Sequence, residues 1–79
     1  MNFRIIWDPA ALQVLYDLHP HSAMIVDRAV IRFVERGEGH LEEVPPHFRL
    51  RAGVHDVVLA IDLEGEAVSV LRIYGRSRR

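Results

Sequence analysis

The sequence predicts an α+β fold in which a helical hairpin packs on one face of a largely antiparallel four-stranded sheet, in the order β-α-α-β-β-β. Three observations predict it. A short alternating segment begins the chain, two segments with helical spacing of apolar residues follow, and the second half of the chain alternates again between turns that contain glycine. The helices are expected to cover one face of the sheet, which leaves the other face free for function.

The first strand and the first helix are predicted from the opening residues. Asn2–Trp7 alternates, with Phe3, Ile5 and Trp7 on one side of the strand. Asp8 can cap the free N–H groups of a helix, and Pro9 suits the first helical position because it has no N–H to leave unpaired. Apolar residues then recur every three or four positions, so the helix is predicted to run to about Leu18.

A second helix is predicted after the break at residues 19–22. It begins at Pro20 or Ser22, because the residue before a proline disfavours helix. Its apolar stripe continues as far as Val34, and Gly37 ends it. Residues 38–46 are polar and contain two prolines, and they are interpreted as a surface loop.

Three strands are predicted in the second half of the chain. His47–Arg51 is followed by a turn at Ala52-Gly53, and Val54–Leu63 forms the next strand. Glu66–Tyr74 forms the last, with simple alternation placing Val68, Val70, Arg72 and Tyr74 on one face. Residues 75–79 form a basic tail.

Composition limits the class of protein. The chain has 79 residues, a hydrophobic content of 49% and a formal charge of −1, which predicts one domain over residues 1–79. Cysteine is absent, which excludes disulfides and a thiolate site. No apolar run approaches the roughly 20 residues of a membrane span, and the first residues do not resemble a signal peptide. We therefore expect a cytoplasmic protein.

The sequence gives no sign of a metal or cofactor site. Its five histidines show no helical i, i+4 pair with a nearby glutamate, as a zinc hydrolase would. Its serines lie in no Gly-x-Ser-x-Gly context. The acidic pair Glu42-Glu43 is interpreted as solvated charge.

The arginines are more informative, because all ten basic residues are arginine. Arg49 and Arg51 are two apart in a strand, so both side chains leave the same face. Further arginines lie in the last strand and in the tail, near Tyr74 in the sequence. The residues of this second group are Arg72, Arg76, Arg78 and Arg79.

Two interpretations of these arginines stay open. If the strands share one sheet, the cations can bind a phosphodiester while Tyr74 stacks on a base. Alternatively, Arg49 and Arg51 form surface ion pairs with acidic residues of neighbouring strands. The candidates for those partners are Asp56, Asp62 and Glu66. The helical row Arg28, Arg32 and Arg36 is interpreted as solvated surface, with contact to a protein partner as the alternative.

Several motifs resemble those of the RelE/ParE superfamily of toxins from type II toxin–antitoxin systems. Residues 5–11, Ile-Ile-Trp-Asp-Pro-Ala-Ala, resemble the family's strand and Trp-x-Pro-x-Ala helix start. Residues 46–53, Pro-His-Phe-Arg-Leu-Arg-Ala-Gly, resemble its Tyr-Arg-Leu-Arg-x-Gly strand and turn. Residues 57–62 resemble its next strand, and residues 70–76, Val-Leu-Arg-Ile-Tyr-Gly-Arg, resemble its closing Val-Leu-Arg-x-x-His-Arg. The resemblance covers almost the whole chain.

The resemblance implies a growth-inhibiting toxin that a cognate antitoxin holds inactive. RelE-like members cleave mRNA on the ribosome without a metal, through attack of the 2′-hydroxyl on the adjacent phosphate, so no cofactor is expected. On the matching positions, Arg49 and Arg51 would position the RNA backbone, and Arg76 would stabilise the phosphate in the transition state. Tyr74 and the remaining arginines of its group, which are Arg72, Arg78 and Arg79, would contact RNA. His55 is a possible general acid or base.

Departures from the family pattern leave two alternatives to the nuclease. His55-Asp56 stands where the family usually has Tyr-Arg, Gly75 stands where it has His, and no terminal aromatic residue follows. The sequence pI of about 6.5 is low for a nuclease directed to the ribosome. A ParE-like inhibitor of DNA gyrase that acts by protein contact needs no such residues. A non-toxic family member that only binds an antitoxin is the third possibility.

Overall fold

The computed structural model describes residues 3–76, with two helices packed on one face of a five-stranded sheet. The strands lie in the order β1-β5-β4-β3-β2. All neighbours are antiparallel except β1 and β5, which are parallel. The elements are β1 Arg4–Trp7, α1 Pro9–Asp17, α2 Pro20–Arg36, β2 Leu41–Val44, β3 His47–Ala52, β4 His55–Asp62 and β5 Ala67–Gly75.

Both helices begin and end at local sequence signals. The Asp8 carboxylate accepts a hydrogen bond from the Ala10 N–H at 2.9 Å, and His19 Nδ1 accepts one from the His21 N–H at 3.1 Å. Gly37, with φ of 69°, ends α2 in the left-handed region that favours glycine. The predicted helical hairpin is confirmed. Neither helix of residues 3–76 has the length and hydrophobicity that a membrane crossing requires.

The prediction of a surface loop over residues 38–46 is wrong in its second half. Leu41–Val44 forms β2, which pairs antiparallel with β3 through a turn at Pro45-Pro46. As an edge strand, β2 forms a ladder on one side only, so the exposed Glu42 and Glu43 are tolerated there. The sheet therefore has five strands instead of the predicted four.

The hydrophobic core lies between the helices and the sheet. α1 packs over β5 and α2 packs over β3. The largest fully buried side chains come from α2, β3, β4 and β5. They are Val26, Val30, Leu50, Val57, Leu59 and Val70.

A β-bulge in β5 makes the predicted assignment of its residues to the two faces of the sheet wrong. Val58 pairs with Arg72 but its neighbour Leu59 pairs with Val70, so Leu71 is one extra residue in β5. An extra residue shifts the alternation by one position. Arg72 and Tyr74 therefore lie on the opposite face from Val68 and Val70, contrary to simple alternation, and Ile73 takes the core position across from Val57.

Candidate nucleic-acid interface

The face of the sheet that the helices leave open carries a cleft of about 280 Å³. Strands β2 to β5 supply most of its walls, and Arg76 closes it just after β5. The three arginines that match the family's functional positions all line this cleft, together with two acidic side chains. Its lining residues are His40, Glu42, Arg49, Arg51, Asp56, Tyr74 and Arg76.

A second cleft of about 370 Å³ lies next to the first on the same face. Arg49 and Tyr74 line both clefts, and Arg72 lines the second. The β5 bulge is what brings Arg72 and Tyr74 to this face, because their strand partners Val58 and Asp56 lie on it. The open face thus combines cations with an aromatic residue, Tyr74, that is 38% exposed.

At one side of the first cleft, Arg49 pairs with Glu42 on the edge strand. Arg49 Nη2 lies 2.5 Å and Nε 3.2 Å from Glu42 Oε1. The hydrogen bond from Arg49 holds the pKa of the Glu42 carboxyl below its usual value, and the same bond raises the pKa of Arg49. The side chains are 35% and 54% exposed, so this ion pair is accessible to solvent and to other anions.

At the opposite side, Arg76 pairs with the buried Asp56. Arg76 Nη1 donates to Asp56 Oδ1 at 3.0 Å and to the His55 carbonyl at 3.3 Å. Arg76 Nη2 donates to the Gly53 carbonyl, and the Arg76 backbone N–H donates to the Val54 carbonyl at 3.0 Å. The Asp56 side chain is 8% exposed, so solvent screens this ion pair much less.

Arg51 lies between these two pairs and is exposed. It stands across from Asp56 in the β3–β4 ladder, yet within residues 3–76 its guanidinium forms no ion pair. Among residues 3–76, three arginines and two carboxylates line the cleft, which gives this described lining one net positive charge. Among the described residues of the cleft, Arg51 is the arginine that is not paired with an acid.

The structure brings together five of the residues proposed from the sequence. They are Arg49, Arg51, Arg72, Tyr74 and Arg76. Arg78 and Arg79, also predicted to contact RNA, lie outside the described residues. The helical row Arg28, Arg32 and Arg36 is exposed on α2, as interpreted.

The alternative of surface ion pairs was correct for Arg49 but named the wrong acids. Glu42 pairs with Arg49, and Asp56 pairs with Arg76 instead of with Arg49 or Arg51. Glu42 is therefore more than solvated charge. The sequence signal that could have identified this ion pair is Pro45-Pro46, since a hairpin that turns at these prolines places Glu42 opposite Arg49.

His55 lies on the helix side of the sheet. Its strand partner is the buried Ala52, and its ring approaches Gly75. It does not line the cleft, so the geometry does not support the acid–base role predicted for it. His40 precedes β2 and does line the cleft, and its backbone carbonyl accepts a hydrogen bond from the Arg51 backbone N–H at 3.0 Å. In residues 3–76 no three His, Asp or Glu side chains are grouped as a metal site would require.

No protein-family model matches this sequence, and no curated protein matches it. Solved structures match it in fold. The isolated RelE toxin of E. coli superposes with a TM-score of 0.79 and 17% identity, over 99% of this chain and 88% of that one. A chain of the archaeal RelE–RelB complex from Pyrococcus horikoshii has a TM-score of 0.79 and 16% identity, over 100% of both chains.

A third match is a chain of the toxin–antitoxin complex RelBE2 of Mycobacterium tuberculosis. It has a TM-score of 0.68 and 21% identity, over 96% of this chain and 100% of that one. At such identities the likeness establishes a shared fold, so the expected fold class is confirmed. The helical hairpin on a mixed sheet is the fold of the RelE toxins.

Proposed function

We propose that this chain, which has the fold of the RelE toxins, is the toxin of a type II toxin–antitoxin pair and cleaves mRNA on the ribosome at the open face of its sheet. The observation that carries the proposal is that Arg49 and Arg51 of β3 and Arg76 after β5 meet at one cleft. Tyr74 lies beside them, and the face is free of helices. A cognate antitoxin is the proposed protein partner, as in the RelE–RelB complexes that share the fold.

The chemistry that suits this cleft is transesterification within RNA. The 2′-oxygen forms a bond to the adjacent phosphorus while the bond to the 5′-oxygen breaks, giving a 2′,3′-cyclic phosphate and a 5′-hydroxyl. Negative charge accumulates on the phosphate in the transition state, and guanidinium groups placed at that point lower the barrier. Arg51 and Arg76 are the residues proposed for this role.

The reaction also moves a proton from the 2′-hydroxyl and delivers one to the 5′-oxygen. Glu42 and Asp56 accept hydrogen bonds from arginines, which disfavours their use as proton acceptors. His40 and Tyr74 are the other lining residues whose side chains can exchange a proton. We assign this role to His40, because imidazole is the most frequent general acid–base group in enzymes.

The two ion pairs favour a second candidate. They neutralise two of the three arginines of the cleft, which leaves one net positive charge among its described residues. A family member that retains antitoxin binding and has lost cleavage would have this arrangement. Such a protein would be harmless when produced without a partner.

Induced expression without an antitoxin in a bacterial host tests the proposal. We expect growth arrest, with new mRNA 5′ ends inside codons on mapping of the RNA. Arg51→Ala should restore growth and remove the new ends, because it removes the accessible cation. Arg32→Ala is the matched control, since it removes an exposed arginine from α2.

Each alternative has its own outcome. Arrest with intact mRNA would reject the nuclease, and inhibition of supercoiling by the purified protein would then identify a gyrase inhibitor. Growth at the normal rate, with the protein present in soluble form, would support the antitoxin-binding candidate.

A further inference from the structure

We propose that Asp56 is a positioning residue that presents Arg76 to the scissile phosphate, an inference that rests on the proposed function. By charge alone, a carboxylate in an RNA-binding cleft should weaken binding. The structure assigns Asp56 the opposite effect, because its carboxylate is directed to Arg76 and is almost completely buried.

The hydrogen bonds around Arg76 leave its guanidinium little freedom. Arg76 Nη1 contacts both Asp56 Oδ1 and the His55 carbonyl, and Nη2 contacts the Gly53 carbonyl. The acceptors come from the β3–β4 turn and the start of β4, which also hold the Arg76 backbone N–H through the Val54 carbonyl. The side chain is therefore held at its tip as well as at its base.

Some N–H donors of Arg76 remain available to bind a phosphate. A guanidinium has five N–H donors. Three are used in the described contacts, which leaves Nε–H and one Nη2–H. Nε and Nη2 share one edge of the guanidinium plane, and this edge of an arginine can bind two oxygens of one phosphate.

Burial explains why the pairing persists when a ligand arrives. The Asp56 side chain is 8% exposed and that of Arg76 is 30% exposed. Taking Arg76 away would leave a buried carboxylate without its partner, which is costly. An RNA phosphate should therefore bind Arg76 in place, and Arg76 needs no reorganisation to receive it.

The experiment compares Asp56→Asn with the wild type by NMR and by RNA affinity. The probe is a short single-stranded RNA whose reactive 2′-hydroxyls are replaced by 2′-methoxy groups, so that binding is measured without cleavage. We expect wild-type Arg76 to show resolved, slowly exchanging Nε–H and Nη–H signals. In Asp56→Asn these signals should broaden or merge, and the affinity should fall on the order of tenfold.

Glu43→Gln is the matched control, since it removes one exposed negative charge from outside the cleft. Arg76→Lys guards against a failure of Asp56→Asn to fold. It keeps the positive charge and loses the planar fork, so the proposal expects a loss of affinity similar to that of Asp56→Asn. Full affinity in Arg76→Lys would show that only charge matters at this position.

The outcomes separate this inference from the proposed function. Tighter RNA binding by Asp56→Asn, or freely rotating Arg76 Nη groups in the wild type, would overturn the positioning role while leaving the nuclease intact. A wild-type protein that neither binds nor cleaves RNA, with Arg76 signals that are ordered and depend on Asp56, would reject the proposed function and support the fixed orientation of Arg76.

Discussion

The two faces of the sheet differ in what they require of their residues. The helix-covered face is closed by apolar side chains such as Leu50, Val57 and Leu59, each 0% exposed. The open face carries arginines, acids and a tyrosine, which occupy the alternate positions of the same strands. The first face contributes stability through burial, and the second can be occupied by charges because neither helix of residues 3–76 covers it. Stability and function are thus separable along each strand.

Ile73→Arg should have the largest effect, since the bulge at Leu71 turns residue 73 to the helix-covered face across from Val57. The substitution would place a guanidinium among apolar side chains. We expect the free energy of unfolding to fall by more than about 4 kcal/mol, because an unpaired guanidinium is costly to bury. Thermal unfolding followed by circular dichroism measures it. Arg72→Ile changes the neighbouring, exposed position and should remain folded, and an Ile73→Arg variant as stable as the wild type would refute the faces that the bulge assigns.

Leu59→Ala tests the helix-covered face by itself. Leu59 is fully buried, so the truncation should cost about 2–5 kcal/mol through lost burial and a cavity. Urea unfolding followed by Trp7 fluorescence gives the value, and RNA affinity of the folded variant should not change. The adjacent, half-buried Val58 faces the open side, and Val58→Ala should cost only about 1 kcal/mol. Equal losses from the two variants would contradict the separation of the faces.

Tyr74→Ala tests the open face in the same way. Stacking of a base on an aromatic ring contributes about 1–3 kcal/mol, so RNA affinity should fall roughly 5- to 150-fold. Stability should change little, since Tyr74 is 38% exposed. Fluorescence anisotropy with a short single-stranded RNA measures the affinity. Tyr74→Phe keeps the stacking surface and should bind as the wild type does, and Tyr16→Ala on α1 should have no effect. Unchanged affinity in Tyr74→Ala would exclude stacking at this position.

Glu42→Gln should have the smallest effect and the opposite sign. It frees Arg49 for phosphate, so we expect RNA affinity to rise about two- to fivefold, with no such rise in Glu43→Gln. Because Arg49 lowers the pKa of Glu42 from its ordinary 4.5, the carboxylate stays ionised and paired above that pH. Protonation as the pH falls through the lowered pKa should remove the difference between Glu42→Gln and the wild type. A difference that is constant over this pH range would mean that the ion pair does not compete with RNA.

Local signals in the sequence were sufficient for most of the fold. Asp8-Pro9 and Gly37 define helix ends through capping, which depends only on neighbouring residues. Two-residue alternation located β3 and β4 for the same reason. β2 was missed because Leu41–Val44 is short, lies at an edge and has two adjacent acids in place of an alternating pattern.

The candidate site was only partly predictable. The spacing of Arg49 and Arg51 placed both on one face, and the resemblance to the RelE/ParE superfamily pointed to Arg76. The acids that pair with them were not identified, because the partners are 7 and 20 residues apart in the chain and meet only across the folded sheet.

The amino-acid sequence alone determined the helices, the core strands and the residue types available to the open face, since propensity, capping and apolar spacing act over a few residues. The tertiary structure alone decided which arginines remain accessible. The one-residue bulge at Leu71 turns Arg72 and Tyr74 outward, and the burial of Asp56 fixes Arg76 while the exposure of Glu42 leaves Arg49 exchangeable. Both effects depend on strand pairing and on distance from solvent, which are properties of the folded chain.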